Sequence, residues 1–283
     1  MSNDRQQQKT ILITGVSSGF GKAIAAQALM DGYRVIGTVR NEQARLAFEA
    51  LAPGRAFAGL LDIGAIAAVA PVIDDLARRF GPIDVLINNA GYGHEGILEE
   101  SPLDEMVRQF QVNVFGSVAV TQALLPHMRA RRRGHIISMT SMGGYITMPG
   151  IAYYCGSKFA LEGISEVLGK EVAQFGIAVT AVAPGSFRTD WAGRSMARSP
   201  RSIGDYDAVF DPVRAAREAK HGQQLGDPAK AAQAILALIE HPNPPAHLVL
   251  GSDALRLIRA KLTALSRELE TWEEVSLSTD HGQ

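Results

Sequence analysis

The chain has 283 residues, of which 46% are hydrophobic and 20% are charged, the balance of a globular protein with enough apolar side chains for a full core. The formal net charge of −1 argues against nucleic acid or an anionic membrane as the main partner. The single cysteine, Cys155, allows neither an intrachain disulfide nor a cysteine-based metal site, and it fits a reducing compartment.

The N-terminus and the distribution of charge exclude further classes of protein. The first nine residues are polar and lack the apolar stretch of a signal peptide, and no apolar run approaches the ~18 residues that span a bilayer. The histidines show no metal-ligand spacing with carboxylates. The arginines of residues 129–133 fall in the last turn of a predicted helix, where cations complement the helix dipole. We expect a cytoplasmic protein that binds no metal, no membrane and no nucleic acid.

Short apolar runs alternate with longer amphipathic segments along the chain. The runs predict strands at residues 10–14, 33–39, 56–61, 83–88, 135–140, 178–183 and 247–250. The amphipathic segments predict helices at residues 19–30, 41–51, 66–80, 102–133, 153–175, 227–241 and 254–269. Continuous apolar strands are typical of a sheet buried on both faces, and alternation with helices implies parallel pairing. The prediction is an α/β, doubly wound Rossmann fold with about seven parallel strands and helices on both faces.

The chain shows no linker and no repeat, so we expect a single domain over residues 1–283, with its core at residues 8–251. Residues 186–226 are rich in Arg, Ser, Asp and Pro and predict a substrate-binding lobe or lid before the last helix of the core. Residues 252–283 predict a C-terminal helical extension.

Capping residues and prolines predict where two of the helices begin and end. Ser101 is the expected N-cap of the long helix, with Pro102 at its first position. Pro126 predicts a kink or break inside this helix, and Gly134 is expected to end it. Asp227 is expected to cap the helix that begins with the proline after it.

A glycine-rich turn, T-G-V-S-S-G-F-G at residues 14–21, joins the first predicted strand to the first predicted helix. Gly15 permits a tight turn, Gly19 removes a Cβ that would block a pyrophosphate, and Gly21 lets the helix pack closely on the sheet. The N–H groups at the helix start can bind phosphates. A glycine triplet alone also fits a plain turn, but its place in a βαβ pattern favours a dinucleotide site. The predicted contacts are Gly15, Ser17, Ser18, Gly19, Phe20 and Gly21.

Tyr154 and Lys158 are four residues apart in a predicted helix, so they lie on one face, one turn apart. A free tyrosine ionises near pH ~10, too high for acid/base chemistry at neutrality. A neighbouring ammonium stabilises the phenolate and lowers the phenol pKa, so the pair predicts a general acid/base. Tyr153 lies about 140° around the helix from Lys158 and is expected to pack or to line a pocket wall.

Several segments together resemble the motifs of the short-chain dehydrogenase/reductase family. They are the glycine-rich turn, N-N-A-G at residues 88–91, Y-C-G-S-K at residues 154–158 and P-G-S-F-R-T at residues 184–189, and the resemblance runs over residues 10–250. It implies a hydride transfer between a nicotinamide cofactor and a carbonyl or secondary alcohol. The nucleotide-sugar epimerases and dehydratases, which have T-G-x-x-G-x-x-G and a larger C-terminal domain, do not match this chain.

The resemblance also implies a role for individual residues. Tyr154 would be the acid/base and Lys158 its partner, while Ser141 would orient the substrate carbonyl; Thr140 has the same chemistry and is the alternative. Asn113 would hold a water linked to Lys158, or else be a buried amide that satisfies backbone groups. The implied cofactor contacts, besides Tyr154 and Lys158, are Asp62 and Ile63 at the adenine, Asn89, Ala90 and Gly91 at the ribose, and Pro184, Gly185 and Thr189 at the nicotinamide.

The end of the second predicted strand distinguishes the two nicotinamide dinucleotides. An acid there would bind the adenosine 2′-hydroxyl, but the chain reads G-T-V-R-N at residues 37–41. Arg40 can clamp a 2′-phosphate, although Glu42 is close by. We therefore expect NADP(H), with NAD(H) as the weaker alternative.

Methionines flank the predicted active-site strand and aromatic residues occur in the predicted lobe. Met139, Met142, Met148, Phe187, Trp191 and Met196 either fill the core or form a pocket for an irregular apolar ligand. With the resemblance to hydroxysteroid and retinol dehydrogenases, we expect an enzyme that acts on a bulky apolar ketone or aldehyde. The alternative function is a non-catalytic NADP-binding regulator.

The resemblance implies a homodimer or homotetramer formed by helices 102–133 and 153–175. His94 is expected at the substrate mouth or on a surface loop.

Overall fold

The computed structural model describes residues 8–193, 195–220 and 222–281. The polar segment expected at residues 1–7, Arg194 and His221 of the predicted lobe, and the last two residues of the predicted extension lie outside the described residues.

Strands and helices alternate along most of the described chain. The strands are β1 (Thr10–Ile13), β2 (Arg34–Val39), β3 (Ala56–Leu60), β4 (Val85–Asn88), β5 (Gly93–Glu95), β6 (Gly134–Met139), β7 (Ile177–Pro184), β8 (Met196–Arg198) and β9 (His247–Leu250). The α-helices are α1 (Gly19–Met30), α2 (Glu42–Glu49), α3 (Ile66–Phe80), α4 (Leu103–Phe110), α5 (Ser117–Arg131), α6 (Ala152–Val172), α7 (Asp207–Ala219), α8 (Pro228–Ile239), α9 (Ser252–Thr271) and α10 (Glu273–Leu277).

Seven strands form one parallel sheet in the order β3-β2-β1-β4-β6-β7-β9. Alternate residues of β1 point to opposite faces: Ile11 and Ile13 pack with α1 and α8, whereas Leu12 packs with α3 and α5, and all three are fully buried. Each such side chain contributes about 2–3 kcal/mol through its removal from water. The predicted doubly wound fold is confirmed.

The long helix predicted at residues 102–133 is divided by a π-helical turn at Gln111–Gly116. Ser101 is not its N-cap, because α4 starts after Pro102 and the Ser101 hydroxyl donates to the carbonyl of Ile97, 2.7 Å away. The expected break at Pro126 is wrong as well, since α5 continues past it, while a kink stays a prediction. A proline inside a helix costs about 3 kcal/mol, which the fully buried Leu124 and Met128 on the same helix offset.

The C-terminal end of α5 also differs from the prediction. Arg132, in the left-handed conformation with φ 55°, follows α5, and Gly134 is the first residue of β6. By contrast, Asp227 caps α8 as predicted, because its carboxylate accepts a hydrogen bond from the amide of Ala229 at 2.8 Å.

Two short strands that the sequence did not predict, β5 and β8, pair in parallel beside the main sheet. They connect the segment after β4 to residues 186–226, which also contain α7. Buried carboxylates strengthen this connection. Glu95, with 2% of its side chain exposed, pairs with Arg198 at 3.3 Å and also with Arg217. Glu100, with 1% exposed, pairs with Arg201 at 2.9 Å. Residues 186–226 are therefore held against the sheet by buried ion pairs.

Replacing Glu95 tests this connection. Glu95→Gln removes the buried carboxylate that pairs with Arg217, so we expect the free energy of unfolding to fall by about 3 kcal/mol, and tryptic cleavage within residues 196–220 to accelerate. Glu218→Gln is the matched control. Arg214 pairs with both Glu95 and Glu218, the latter at 3.2 Å, but Glu218 is exposed. Its replacement should change stability by less than ~0.5 kcal/mol. If urea unfolding showed equal losses of stability in the two variants, Glu95 would not be the residue that holds the two segments together.

Candidate active site

A cavity of about 1290 Å³ opens at the carboxyl ends of the sheet strands. It includes the point where the strand order reverses, between β1 and β4, which is where doubly wound sheets bind ligands. All of the predicted site residues line this cavity except Gly21 and Asn113. The sequence-based site is therefore largely brought together in one place.

The glycine-rich turn after β1 has the backbone geometry that its sequence predicts. Gly15 and Gly19 have φ angles of +73° and +56°, in the left-handed region that favours glycine. A Cβ on Gly21 would lie 2.1 Å from the carbonyl oxygen of Gly15. Gly21 thus allows α1 to approach the turn, and it contributes to the site by packing rather than by lining the cavity.

Side chains from neighbouring strands hold this turn in place. The Asn89 amide, after β4, donates to the carbonyl oxygens of Thr14 at 2.9 Å and Gly15 at 3.0 Å. The Thr14 hydroxyl accepts from the backbone amides of Asn89 and Ala90. The Thr38 hydroxyl accepts from the amide of Gly15 at 3.0 Å. Sequence reasoning missed Thr14 and Thr38, because a threonine in a strand is usually a packing residue.

The start of α1 fits a dinucleotide pyrophosphate. The helix has no acidic residue in its first turn, and the side chain of its N-cap, Ser18, makes no capping hydrogen bond. Apart from its chain neighbours and the backbone of its own helix, the only atom of the described residues within 4 Å of a Cβ placed on Gly19 is the Cβ of Thr189, at 3.9 Å, so space is open above the helix start. Free N–H groups and the helix dipole there favour an anion.

Arg40 lies on the cavity wall directly after β2, and its side chain is exposed. Glu42, the nearby acid, does not pair with it. Instead, Glu42 accepts from the Arg45 guanidinium at 2.8 Å, and Arg45 also pairs with Glu49 at 2.7 Å. The arrangement leaves Arg40 able to meet an anionic group at this end of the cavity.

Ser141, Tyr154 and Lys158 come together where β6 ends against α6, and each is at most 9% exposed. A hydrogen bond links Ser141 to Tyr154, and the Ser141 oxygen accepts from the amide of Gly143 at 3.0 Å. The Lys158 ammonium donates to the carbonyl of Met139 at 2.8 Å and lies 5.8 Å from the centre of the Tyr154 ring. Together they form a buried acid/base cluster on the cavity wall.

The alternative residue, Thr140, is engaged elsewhere. Its hydroxyl contacts the carbonyl oxygen of Val182, at 2.8 Å, and the carboxylate of Glu162. The geometry therefore favours Ser141 as the hydroxyl beside Tyr154.

Burial dominates the electrostatics of the pair. Desolvation raises the pKa of Tyr154 to about 12, and the hydrogen bond from Ser141 acts in the opposite direction. Desolvation lowers the pKa of Lys158 to about 8, opposed by the carboxylate of Glu162. The expected lowering of the phenol pKa by Lys158 is not found in the protein by itself, because burial disfavours both charged forms.

Asn113 lies in the π-helical turn and is 1% exposed. Its oxygen accepts from the backbone amide of Tyr92, and its NH2 group donates to the Tyr92 carbonyl and to the Ser157 hydroxyl, each at 3.0 Å. The Ser157 hydroxyl in turn donates to the carbonyl of Tyr154 at 2.7 Å. Both amide protons are used by protein groups, so the side chain acts as a brace between the turn and α6. This is the alternative considered for Asn113 in the sequence, and a bound water stays a prediction.

Tyr153 and His94 pack behind the site. The Tyr153 hydroxyl donates to the carbonyl of Ser101 at 2.7 Å, and its ring stacks on His94 with 5.0 Å between ring centres. The expected packing role of Tyr153 fits these contacts. His94 is 1% exposed, belongs to β5 and hydrogen-bonds Ser199 at 2.9 Å. It lies neither on a surface loop nor on the cavity wall, because the unpredicted pairing of β5 with β8 buries it.

Next to Tyr154, the cavity is lined by the apolar side chains of Met148, Ile151 and Trp191, which pack in one cluster with Tyr154. The Trp191 ring lies 5.0 Å from the Tyr154 ring. The wall includes the predicted residues Met139, Met142, Met148, Phe187, Trp191 and Met196. It also includes residues of α7 and α9 that the sequence analysis missed, among them Pro212, Val213, Ala216, Arg217, Arg256 and Leu257. An amphipathic helix alone does not reveal which neighbour its apolar face will meet.

Glu162 is a buried acid beside the site that the sequence analysis did not select. It is 7% exposed and one turn along α6 from Lys158. Its carboxylate accepts from the Tyr145 hydroxyl at 3.0 Å and lies 3.0 Å from Nδ1 of His247. His247 is 37% exposed, so this cluster extends from Lys158 to the protein surface.

Within residues 8–193, 195–220 and 222–281, no group of three or more His, Cys, Asp or Glu side chains is placed to hold a metal ion. In the same ranges, no helix is both long enough and apolar enough to cross a membrane.

Comparison with known proteins gives consistent relatives. The family model for short chain dehydrogenase matches residues 9–199. The chain is 37% identical to oxidoreductase BOA17 of Botryotinia fuckeliana, with 96% of this chain and 99% of the relative covered. It is 36% identical to 3-ketodihydrosphingosine reductase of Bacteroides thetaiotaomicron, covering 87% and 88%, and 33% identical to human retinol dehydrogenase 8, covering 84% and 79%.

Solved structures share the fold. A short-chain dehydrogenase from Streptomyces avermitilis superposes with a TM-score of 0.90 at 39% identity, covering 97% of this chain and 99% of that chain. ElxO with NADP bound superposes with a TM-score of 0.73 at 26% identity, covering 88% of this chain and 100% of that chain.

The effect of Glu162 on Lys158 gives a testable pH dependence. The Glu162 carboxylate raises the pKa of Lys158, so Glu162→Gln should lower it. Activity that needs the Lys158 ammonium should then be lost at a lower pH, and the alkaline limb of the kcat/KM profile should move down in pH. Glu166→Gln, one turn further along α6 at an exposed site paired with Lys170, should leave the profile unchanged. An unshifted alkaline limb in Glu162→Gln would exclude this coupling.

Proposed function

The chain belongs to the short-chain dehydrogenase family, and we propose that it transfers hydride between NADP(H) and a bulky apolar ketone or aldehyde or the corresponding alcohol. The observation that supports this most strongly is the buried cluster of Ser141, Tyr154 and Lys158 on the wall of the cavity that contains the glycine-rich turn. A proton donor and an open helix N-terminus in one cavity suit the combined transfer of a proton and a hydride.

In the proposed mechanism, each polar group acts at a defined atom. The nicotinamide cofactor, when bound, supplies the hydride. Ser141 and Tyr154 hydrogen-bond the substrate carbonyl oxygen, and Tyr154 delivers its proton to that oxygen as hydride arrives at the carbon. Lys158, held by the carbonyl of Met139, favours the phenolate that Tyr154 becomes. Asn113, through Ser157, fixes the backbone of α6 at Tyr154.

The contacts proposed for the cofactor follow the cavity from the turn to Tyr154. The start of α1 with Ser17 and Ser18 would hold the pyrophosphate, and Asp62 and Ile63 would meet the adenine. Arg40 would bind the 2′-phosphate of NADP(H). The remaining contacts would come from Gly15, Gly19, Phe20, Asn89, Ala90, Gly91, Pro184, Gly185, Thr189 and Lys158, all of which line the cavity.

The substrate class is proposed from the apolar wall beside Tyr154. Thioether and aromatic side chains adapt to large, irregular apolar molecules. Trp191 lies against Tyr154, so the reacting carbonyl would be covered by residues 186–226. The names of two relatives, for 3-ketodihydrosphingosine and for retinol, support a long apolar substrate.

We further propose a homodimer or homotetramer in which α4–α6 form a contact. Apolar side chains on these helices are exposed, namely Leu103, Val107, Phe115, Phe159, Ile164 and Val167. Such a face in a soluble protein commonly marks an interface. A monomeric mass by light scattering would contradict this assignment.

The catalytic assignment is tested with Tyr154→Phe, assayed by NADPH oxidation at 340 nm against a panel of apolar ketones and aldehydes. Loss of the proton donor should lower kcat by ~10²–10⁴-fold while NADPH binding is retained. Tyr153→Phe is the matched control, because it removes a neighbouring hydroxyl that donates to the carbonyl of Ser101 instead of facing the cavity. Turnover that survives in Tyr154→Phe would overturn the assignment, and NADPH binding without any turnover in the native chain would favour a non-catalytic NADP-binding regulator.

The cofactor assignment is tested with Arg40→Asp. The substitution removes a cation and places a carboxylate where the 2′-phosphate is proposed to bind, so the preference for NADPH over NADH in kcat/KM should fall by ~10- to 100-fold. Arg34→Gln, at the opposite end of β2, serves as the control and should keep the preference. Similar kcat/KM values for NADPH and NADH in the native chain would defeat the assignment.

A further inference from the structure

The face of α9 that contacts the protein body continues beyond it as an exposed apolar stripe. Near the start of the helix, Ala254 and Ile258 are buried against Ile146. Further along, the stripe contains Leu262, Leu265, Leu269 and Trp272, which follow one another at spacings of three, four and three residues. This spacing is the apolar repeat of paired helices.

The continuation of the stripe is exposed to solvent. The exposed fractions are 55% for Leu262, 41% for Leu265, 64% for Leu269 and 59% for Trp272. At about 100° per residue, these side chains and Ile258 lie within one face about 80° wide. The same face thus packs on the body at one end and has no packing partner among the described residues at the other.

Charges divide along α9 and α10. From residue 254 to residue 267 the chain has four basic side chains and no acid, and from residue 268 to residue 274 it has four acids and no base. A helix laid parallel to an identical copy would bring basic half against basic half. An antiparallel copy would bring each basic half against an acidic half.

We propose that α9 and α10 form a symmetric antiparallel contact with a second copy of this chain. A two-fold axis near residue 267 places Leu265 opposite the second copy's Leu269, and Leu262 opposite the second copy's Trp272. Arg259 and Glu273, the first residue of α10, lie at opposite ends of the stripe. Arg259 of each copy therefore comes beside Glu273 of the other, which satisfies the requirement of a two-fold interface for self-complementarity.

The flanking charges favour a second copy over a membrane surface. An amphipathic helix that lies on anionic lipid has basic residues along its polar face. Here the half that contains Trp272 also contains Glu268, Glu270, Glu273 and Glu274, which anionic lipid would repel. The contact lies apart from α4–α6, so an assembly that uses both surfaces would be a tetramer with two kinds of interface.

The test is the mass of the full chain in solution, by analytical ultracentrifugation, together with NADPH affinity as a check of folding. Leu265→Glu, Arg259→Glu and Glu273→Arg should each halve the mass. The double variant Arg259→Glu/Glu273→Arg should restore the native mass, because the swapped charges again attract. Arg267→Glu, on the side of α9 opposite the stripe, should keep the native mass.

Three outcomes would overturn the proposal. The first is an unchanged mass in Leu265→Glu, and the second is a halved mass in Arg259→Glu that the double variant fails to restore. The third concerns Trp191→Phe, in which Trp272 is the one remaining tryptophan: its emission would shift to the blue on vesicles of phosphatidylserine but not with rising protein concentration. That outcome would assign the stripe to a membrane surface.

Discussion

The close approach between α1 and the turn after β1 determines where the rest of the site can be. Because a Cβ at Gly21 would lie 2.1 Å from the carbonyl oxygen of Gly15, only glycine allows the helix to start this near the sheet. Asn89 binds the carbonyl groups of the same turn from the end of the neighbouring strand. The helix start, the open space above it and the end of β4 are therefore held in one arrangement. On the proposed function, that arrangement would set the position of a dinucleotide relative to Tyr154.

The second constraint is the burial of a phenol and an ammonium side by side. Burial moves the pKa of Tyr154 up to about 12 and that of Lys158 down to about 8, because each charged form loses its water. With its pKa raised, Tyr154 is a poor acid/base in the protein by itself. On the proposed function, the positive charge of an oxidised nicotinamide would favour the phenolate. The protein itself supplies the Ser141 hydroxyl beside Tyr154 and the Met139 carbonyl that binds Lys158. Glu162 acts on Lys158 through its charge.

Much of this molecule could be predicted from its sequence because the information is local. The apolar runs predict the seven sheet strands, and the motif residues give the part of the cavity wall around the glycine-rich turn and Tyr154, since most of these motifs follow strands that end at the same edge of the sheet. The failures concern contacts between distant segments. The burial of His94 depends on the pairing of β5 with β8, strands of three residues that have no usable periodicity. The continuity of α5 through Pro126 depends on packing that no helix signal encodes, and the π-helical turn at Asn113 depends on hydrogen bonds to Tyr92 and Ser157.

On the proposed function, hydride moves directly between a nicotinamide and a carbonyl carbon in the cavity beside Tyr154. The most direct measurement uses NADPH dideuterated at C4 of the nicotinamide, an apolar ketone that supports NADPH consumption, and mass spectrometry of the alcohol formed. When the reaction runs in ordinary water, we expect one deuterium on the carbinol carbon of the product. An alcohol that contains no deuterium, or consumption of NADPH without formation of an alcohol, would contradict the proposed function.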